Sequence, residues 1–140
     1  MTEITEFKGK YRFLSNFHHA PLSVLGIEYL SSEAAYQACK TLDLGQRKQF
    51  SLLSPLDAKR LGSQIALRPN WDTVTRLECM ELCLRSKFQN NPQLLDYLVA
   101  TNDADLIEGN HWGDTFWGIC KGKGSNYLGK LLMVIRGEHL

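Results

Sequence analysis

The segment IEYLSSEAAYQACK, residues 27–40, changes from a strand pattern to a helix pattern partway along its length. Ile27–Leu30 is a short apolar and aromatic run, which predicts a strand. Ser31 or Ser32 can cap a helix, and the small and unbranched residues that follow favour helix up to Lys40. A short strand that leads directly into a helix indicates a fold in which α and β elements are mixed.

The residues before this segment predict more extended structure. Pro21–Val24 is a second short apolar run, and Leu25-Gly26 separates it from Ile27–Leu30. Two such runs joined by two residues with glycine predict a β-hairpin. Tyr11–Leu14 is also apolar and aromatic, and we expect it to be extended.

The residues after the segment are mainly helical in pattern. Ser54-Pro55 predicts a helix start, with the end near Gly62, and a long helix is predicted from Asp72 to Phe88. Asn91-Pro92 predicts a further start, and Asn126 is a suitable cap for a last helix. The expected core positions of the last three helices are Val74, Leu77, Leu84, Phe88, Leu94, Leu95, Leu98, Leu128, Leu131, Leu132 and Ile135. The predicted fold class is α+β: a mostly helical single domain, residues 1–140, with a small β-sheet.

Composition and charge narrow the functional classes. The chain has 140 residues, 44% hydrophobic and 22% charged, with a formal net charge of +1. This charge provides no long-range basic field for nucleic acid or a membrane surface. No stretch has the apolar length of a membrane span, and the polar, acidic start (residues 1–6) does not resemble a signal peptide. We therefore expect a cytoplasmic protein with no membrane partner.

The cysteines predict neither disulfides nor a metal site. None of the four forms a CxxC pair, although Cys79 and Cys83 share one helix face. Small apolar core residues in a reducing compartment are the simplest interpretation. The four histidines show no spacing that would complete a metal site, so no metal is expected.

Carboxylates are the first candidates for chemistry. Glu33 stands in the first turn of a predicted helix, where the helix dipole favours a negative charge. Glu108 and Asp114 lie in an irregular segment, residues 101–125. Each acid could serve only its local structure, as a helix-start or solvated loop carboxylate. Together they could form the pair that glycosidic cleavage requires, one for the sugar cation or water and one for the leaving group.

Aromatic and polar residues near these acids could bind a nucleotide-like ligand. Trp71 and Trp117 could stack on a heterocycle or fill the core, and residues 117–120 also have the pattern of a buried strand. Asn16, which lies between aromatic residues, could hydrogen-bond a ribose or form a turn. Arg12 is a candidate phosphate contact, and the glycine-rich residues 122–126 could bind an anion or form a flexible turn.

Several ordered blocks of this sequence resemble the YbiA/NADAR family (NAD- and ADP-ribose-associated domains), over nearly the whole chain from Phe13 to Arg136. The blocks are Phe13–Phe17, Ser32-Glu33, Tyr36-Gln37-Ala38, Lys40, Trp71-Asp72, Met80, Lys87-Phe88, Leu106–Glu108, Asp114, Trp117–Ile119, Gly124, Asn126–Gly129, Leu132-Met133 and Ile135-Arg136. Each block alone is weak, but the full set in this order is specific.

The resemblance implies a mostly helical fold with a small sheet, and N-glycosidase chemistry. Some members hydrolyse early riboflavin-pathway intermediates, and others remove ADP-ribose from guanine. The essential acidic and tryptophan positions of the family match Glu33, Trp71 and Asp114. Ala34 is a departure, because family members often have histidine after the helix-starting glutamate.

The resulting hypothesis is an N-glycoside hydrolase that cuts between ribose C1 and an aromatic or exocyclic nitrogen. Its substrate would be ADP-ribosylated guanine, as nucleotide or DNA, or a ribosylamino-pyrimidine phosphate. Glu33 and Asp114 would flank the ribose, with Trp71 as a third catalytic position. The expected substrate-binding residues are Arg12, Asn16, Lys40, Glu108, Trp117, Gly118 and Asn126.

Within that set, Asn16 and Asn126 would orient the sugar, and Arg12 or Lys40 would contact phosphate. No cofactor is expected, and the oligomeric state is not predicted. The alternative is a non-catalytic module that binds ADP-ribose or another NAD derivative, which would not need Glu33.

Overall fold

The computed structural model describes residues 2–140; Met1 lies outside the described residues. Helices make up 46% of the chain, which confirms the mostly helical α+β class. In chain order the elements are β1 (Glu3–Ile4), a 3-10 helix (Gly9–Leu14), β2 (Leu22–Val24), β3 (Ile27–Tyr29), α1 (Ser32–Ala38), α2 (Leu44–Gln49), α3 (Pro55–Gly62), α4 (Thr73–Asn90), α5 (Pro92–Val99), β4 (Asp105–Leu106), β5 (Gly109–Asn110), β6 (Ile119–Cys120) and α6 (Tyr127–Gly137).

These elements form two compact units. The central unit is Asn16–Asn91, and the terminal unit combines the residues up to Ser15 with Pro92–Leu140. The expectation of one domain over residues 1–140 stays a prediction.

The hairpin of the central unit has the predicted turn. β2 and β3 pair antiparallel, with Leu22 opposite Tyr29 and Val24 opposite Ile27. Leu25 and Gly26 both have positive φ, 51° and 83°, which is the conformation that a tight two-residue hairpin turn requires. The hairpin packs against α4 and α1, and α1 also packs against α3.

The long helix α4 buries a stripe that differs in part from the predicted one. Asp72 caps the helix by accepting a hydrogen bond from the Thr75 amide at 2.9 Å. The buried positions recur with helical spacing at Met80, Cys83, Leu84, Lys87 and Phe88. Val74 was expected in the core, but its side chain is 63% exposed. That prediction is wrong because the first turn of α4 is exposed, and periodicity alone does not show which turns face the core.

The terminal unit is joined by short parallel pairings. β1 pairs with β4, and β5 pairs with β6. α6 packs against β4 and α5. Of the predicted apolar face of α6, Leu128, Leu132 and Ile135 are buried and Leu131 is half-buried.

The expectation of an extended Tyr11–Leu14 is wrong, because these residues belong to the 3-10 helix. Its hydrogen bonds are local, from the Tyr11 amide to the Lys8 carbonyl and from the Ser15 amide to the Arg12 carbonyl. Phe13 is buried by the turn, and its ring lies 5.5 Å from the ring of Tyr97. A six-residue 3-10 helix is too short to show a periodic pattern.

The cysteine prediction holds for most positions. Cys39, Cys83 and Cys120 are buried and Cys79 is half-buried, all as free thiols. Within residues 2–140 no three potential metal ligands come together. None of the described helices has the length and hydropathy needed to span a bilayer.

Candidate functional site

Glu33 is a buried carboxylate in the first turn of α1. Ser31 caps this helix by accepting a hydrogen bond from the Ala34 amide at 3.1 Å, so helix initiation does not depend on Glu33. Glu33 is only 8% exposed, and its Oε2 accepts a hydrogen bond from Gln37 Nε2 at 2.7 Å. Burial of a carboxylate costs free energy that an exposed helix-start acid avoids. The location therefore favours a functional role for Glu33 over a purely local one.

Asn16 fixes the start of α1. Its backbone carbonyl accepts from the Glu33 amide at 3.1 Å, and its Oδ1 accepts from Ser32 Oγ at 2.7 Å. Its Nδ2 points at the sulfur of Met80, at 3.4 Å. Because Asn16 is 7% exposed and its amide has these partners, the structure gives it a role in positioning Glu33. The expected contact of Asn16 with a sugar stays a prediction.

The face of α1 that carries Glu33 continues with polar and aromatic residues. Glu33, Tyr36 and Gln37 follow the spacing i, i+3, i+4 and so share one side of α1, and Lys40 continues the spacing in the turn after the helix ends at Ala38. This spacing was visible in the sequence and could have identified Tyr36 and Gln37 as site residues. Sequence reasoning selected only the first and last members.

Trp71 stands next to this face. The rings of Tyr36 and Trp71 are 5.9 Å apart with an interplanar angle of 44°, and Trp71 is half-buried. Burial raises the pKa of Tyr36 to about 12, against the opposing effect of a hydrogen bond with Arg76. The central unit thus holds two aromatic rings together, with the Arg76 guanidinium against the phenol.

Cationic side chains gather around Lys40. Burial lowers the pKa of Lys40, the Glu33 carboxylate raises it, and the charges of Arg76 and Lys59 lower it further. The Lys59 ammonium also lies 5.9 Å from the ring centroid of Phe17. One carboxylate and three cationic groups therefore interact here. Lys59 and Arg76 were missed from sequence because they reach this place from α3 and α4.

In the terminal unit, Asp114 organises a turn. Its Oδ1 accepts hydrogen bonds from the amides of Phe116 at 3.1 Å and Trp117 at 2.9 Å. The Asp114 amide and carbonyl are both bound by the side chain of Asn110. Asp114 is therefore a half-buried carboxylate that holds its own loop, which fits the local role, and its part in the chemistry stays a prediction.

Glu108 and Gly118 pack against each other. Glu108 Oε2 accepts from Asn110 Nδ2 at 3.0 Å. A Cβ on Gly118 would overlap the Glu108 side chain and stand 2.7 Å from Asn110 Nδ2, so only glycine fits at this position. These contacts give Glu108 and Gly118 a role in building the loop, and their predicted contact with substrate stays a prediction.

Asn126 does not cap α6 with its side chain as expected. It has a left-handed backbone, φ 53°, and its side chain makes no capping hydrogen bond to α6. Oδ1 accepts from the Glu108 amide at 3.0 Å, and Nδ2 donates to the Leu106 carbonyl at 2.9 Å. The side chain thus joins the start of α6 to the strand region of the same unit.

The remaining predicted residues differ in exposure. Trp117 is half-buried in an edge-to-face contact with Phe116, with ring centroids 4.7 Å apart, and the strand predicted there is limited to β6. Arg12 is exposed on the 3-10 helix. Trp112, which is not one of the predicted site residues, is 54% exposed and lines an open depression of about 660 Å³ with Lys121 and Lys123.

The predicted site residues divide between the two units. The central unit brings together Glu33, Lys40, Trp71 and the positioning residue Asn16. The terminal unit holds the others: Arg12, Glu108, Asp114, Trp117, Gly118 and Asn126. That Glu33 and Asp114 flank one ribose stays a prediction.

Known proteins with similar sequences include a named N-glycosidase and riboflavin biosynthesis proteins. The chain is 38% identical over 132 residues to N-glycosidase YbiA of Escherichia coli, which covers 91% of this chain and 81% of that protein. It is also 38% identical over 130 residues to a riboflavin biosynthesis protein of Vibrio vulnificus, covering 90% of this chain and 35% of that longer protein. The predicted enzyme class, an N-glycosidase type of hydrolase, is thereby confirmed.

The fold of the chain is also similar to that of E. coli YbiA. The NMR structure of E. coli YbiA superposes with a TM-score of 0.87 at 36% identity, covering 99% of this chain and 84% of that one. The model of the NADAR domain matches residues 5–139. The chain belongs to the NADAR family.

Proposed function

We propose that this protein hydrolyses the bond between ribose C1 and an aromatic or exocyclic nitrogen of a phosphorylated substrate, with Glu33 as the principal catalytic carboxylate. The observation that carries the proposal is the buried Glu33 carboxylate, held by Gln37 beside Lys40 and its cationic neighbours. Membership of the NADAR family and the names of the relatives support the same reaction class.

The chemistry of the bond explains why a buried carboxylate is useful. Cleavage develops positive charge on C1 and the ring oxygen of the sugar, as an oxocarbenium-like transition state. A carboxylate that is shielded from bulk water stabilises this positive charge more strongly than an exposed carboxylate does. It can instead act as a general base that removes a proton from the attacking water. We assign this part to Glu33, and we assign the second carboxylate of the mechanism to Asp114, whose orientation its two amide donors fix.

The cationic groups favour a phosphorylated substrate. Lys40 in the turn after α1, Lys59 on α3 and Arg76 on α4 provide positive charge in one unit, and a phosphate would interact favourably with all three. Tyr36 and Trp71 provide apolar ring surface for a heterocycle. A ribosylamino-pyrimidine phosphate and ADP-ribose linked to guanine both combine these features.

The buried carboxylate also argues against the alternative of a non-catalytic binding module. A buried negative charge beside the lysines repels phosphate, so in a module that only binds it would be offset at most by hydrogen bonds from ribose hydroxyls. A catalyst of oxocarbenium formation needs such a charge.

The experiment that tests this proposal supplies each of the two substrates and measures released pyrimidine or guanine by chromatography. Glu33→Gln should abolish release, whereas Glu28→Gln, which removes an exposed carboxylate of β3 in the same unit, should not change it. Release from one substrate only identifies the leaving group. Tight ADP-ribose binding with no release from either substrate would contradict the proposal and support the binding module.

A further inference from the structure

Within residues 2–140, the buried side-chain amide of Gln37 has one hydrogen-bond partner. It is 5% exposed, and its Nε2 donates to Glu33 Oε2 at 2.7 Å. An ionised carboxylate can only accept, so this contact requires the NH₂ end of the amide to face Glu33. The carbonyl end, Oε1, has no hydrogen-bond donor among the described residues.

Gly62, the last residue of α3, provides the space for that carbonyl. A Cβ at Gly62 would lie 2.7 Å from Cδ of Gln37 and closer still to Oε1, a separation that real Cβ atoms do not show. Gly62 is buried, and α3 packs directly on α1. The backbone of α3 therefore supports the amide from the side opposite Glu33.

If folding stability were the only requirement, a buried amide whose carbonyl has no donor would be an unfavourable choice at position 37. A buried carbonyl without a donor costs free energy, and an apolar side chain of the same shape would avoid the cost. The feature that glutamine supplies and an apolar side chain of the same shape lacks is the N–H that contacts Glu33. The hydrogen bond from the Gln37 amide to the Glu33 carboxylate therefore accounts for a glutamine at this position.

We propose that Gln37, supported by Gly62, is a positioning residue that fixes the orientation of the Glu33 carboxylate for N-glycoside cleavage. The inference rests on the proposed function in one respect, namely that Glu33 acts on the sugar. Gln37 itself acts through Glu33, so its loss should reduce turnover while substrate affinity is largely kept.

Three variants test this inference by steady-state kinetics. Gln37→Met keeps the length of the side chain but removes the donor, and Gly62→Ala leaves the glutamine in place but obstructs its amide. Each should lower kcat by about 10- to 100-fold, the scale of a misplaced catalytic group, with KM within about 3-fold. Because both act on the same contact, the double variant should be no slower than the slower single variant.

Controls separate positioning from general damage. Gly137→Ala, at the end of α6, places a Cβ where no atom lies within 4 Å and should leave kcat unchanged. Thermal melting of Gln37→Met and Gly62→Ala establishes that each variant is folded. An unchanged kcat in Gln37→Met, or effects that multiply in the double variant, would overturn the inference.

A measurement without turnover completes the test. In the NMR spectrum the Gln37 side-chain NH₂ should exchange slowly with solvent, and this protection should be lost in Glu33→Leu and in Gly62→Ala. Exposed Gln89 is the reference amide. If Glu33→Gln retains wild-type turnover, the proposed function fails. If Glu33→Gln is inactive and Gln37→Met is fully active, only the positioning role fails.

Discussion

Replacing the buried Lys87 by methionine should remove a large part of the pH dependence of folding stability. Lys87 is completely buried on the core stripe of α4, and burial lowers its pKa from 10.5 to about 7. In the unfolded chain the amine stays protonated up to its ordinary pKa. Between these two values the unfolded state therefore binds more protons than the folded state, and stability rises with pH.

The size of the effect follows from the two pKa values. A full difference of one bound proton is worth about 1.4 kcal/mol per pH unit, and at pH 7 half of that difference is present because the folded amine is half protonated. Between pH 7 and pH 9 the free energy of unfolding of the wild type should therefore increase by about 2 kcal/mol from this group. Lys87→Met has no such group, so its stability should be flatter over the same interval.

Urea unfolding at pH 7, 8 and 9, for wild type and Lys87→Met, measures this difference. Comparison of the two proteins cancels the contributions of groups that titrate in both. One of these groups is Tyr29, because burial raises its pKa to about 12. Lys48→Met, which removes an exposed lysine of α2, should keep the wild-type slope. Equal slopes for wild type and Lys87→Met would refute the reasoning, because they would mean that Lys87 keeps its charge in the folded protein.

Three further changes test the loop and the cationic groups. Gly118→Ala should lower the free energy of unfolding by about 1–3 kcal/mol, since the added methyl group overlaps neighbouring atoms, and chemical denaturation measures this loss. Asp114→Asn keeps the Oδ1 acceptor, so it should melt close to the wild type while kcat falls; wild-type kcat would remove Asp114 from the mechanism. Lys59→Met should raise KM for a phosphorylated substrate several-fold and leave kcat nearly unchanged, and a KM that does not move would exclude Lys59 from phosphate binding.

Local patterns account for the elements that the sequence predicts well. The hairpin follows from Leu25-Gly26, because the turn conformation depends on two adjacent residues. The starts of α3 and α4 follow from Ser54 and Asp72, whose side chains accept from amides three residues later. In each case the interaction that fixes the element joins residues no more than three positions apart in the chain.

The elements that the sequence analysis missed are very short, and some of them depend on contacts between residues far apart in the chain. β1 pairs in parallel with β4, which lies about a hundred residues later, and each strand has only two residues. The helix α2, which sequence analysis missed, has six residues and depends on its Asp43 cap. Neither a two-residue strand nor a six-residue helix has a hydrophobic period that a sequence can display.

In the candidate site, too, local features can be predicted from the sequence and contacts between distant residues cannot. The position of Glu33 at the junction of a predicted strand and helix leaves a helix-start acid and a catalytic acid both open, and the family resemblance favours the catalytic role. Its partners are harder to find, since the role of Gln37 becomes visible only with Gly62 of α3, and Arg76 comes from α4. Packing between helices makes these residues a group, and packing partners are not encoded by spacing along the chain.

The central claim is that Glu33 catalyses cleavage at ribose C1, and single-turnover kinetics of Glu33→Gln measure it most directly. With saturating enzyme and the ribosylamino-pyrimidine phosphate or ADP-ribosylated guanosine that the wild type cleaves, the rate of base release should fall by about 10²- to 10⁴-fold, the usual contribution of a positioned acid or base. Substrate binding should remain measurable. A Glu33→Gln enzyme that releases the base at the wild-type rate would contradict the account.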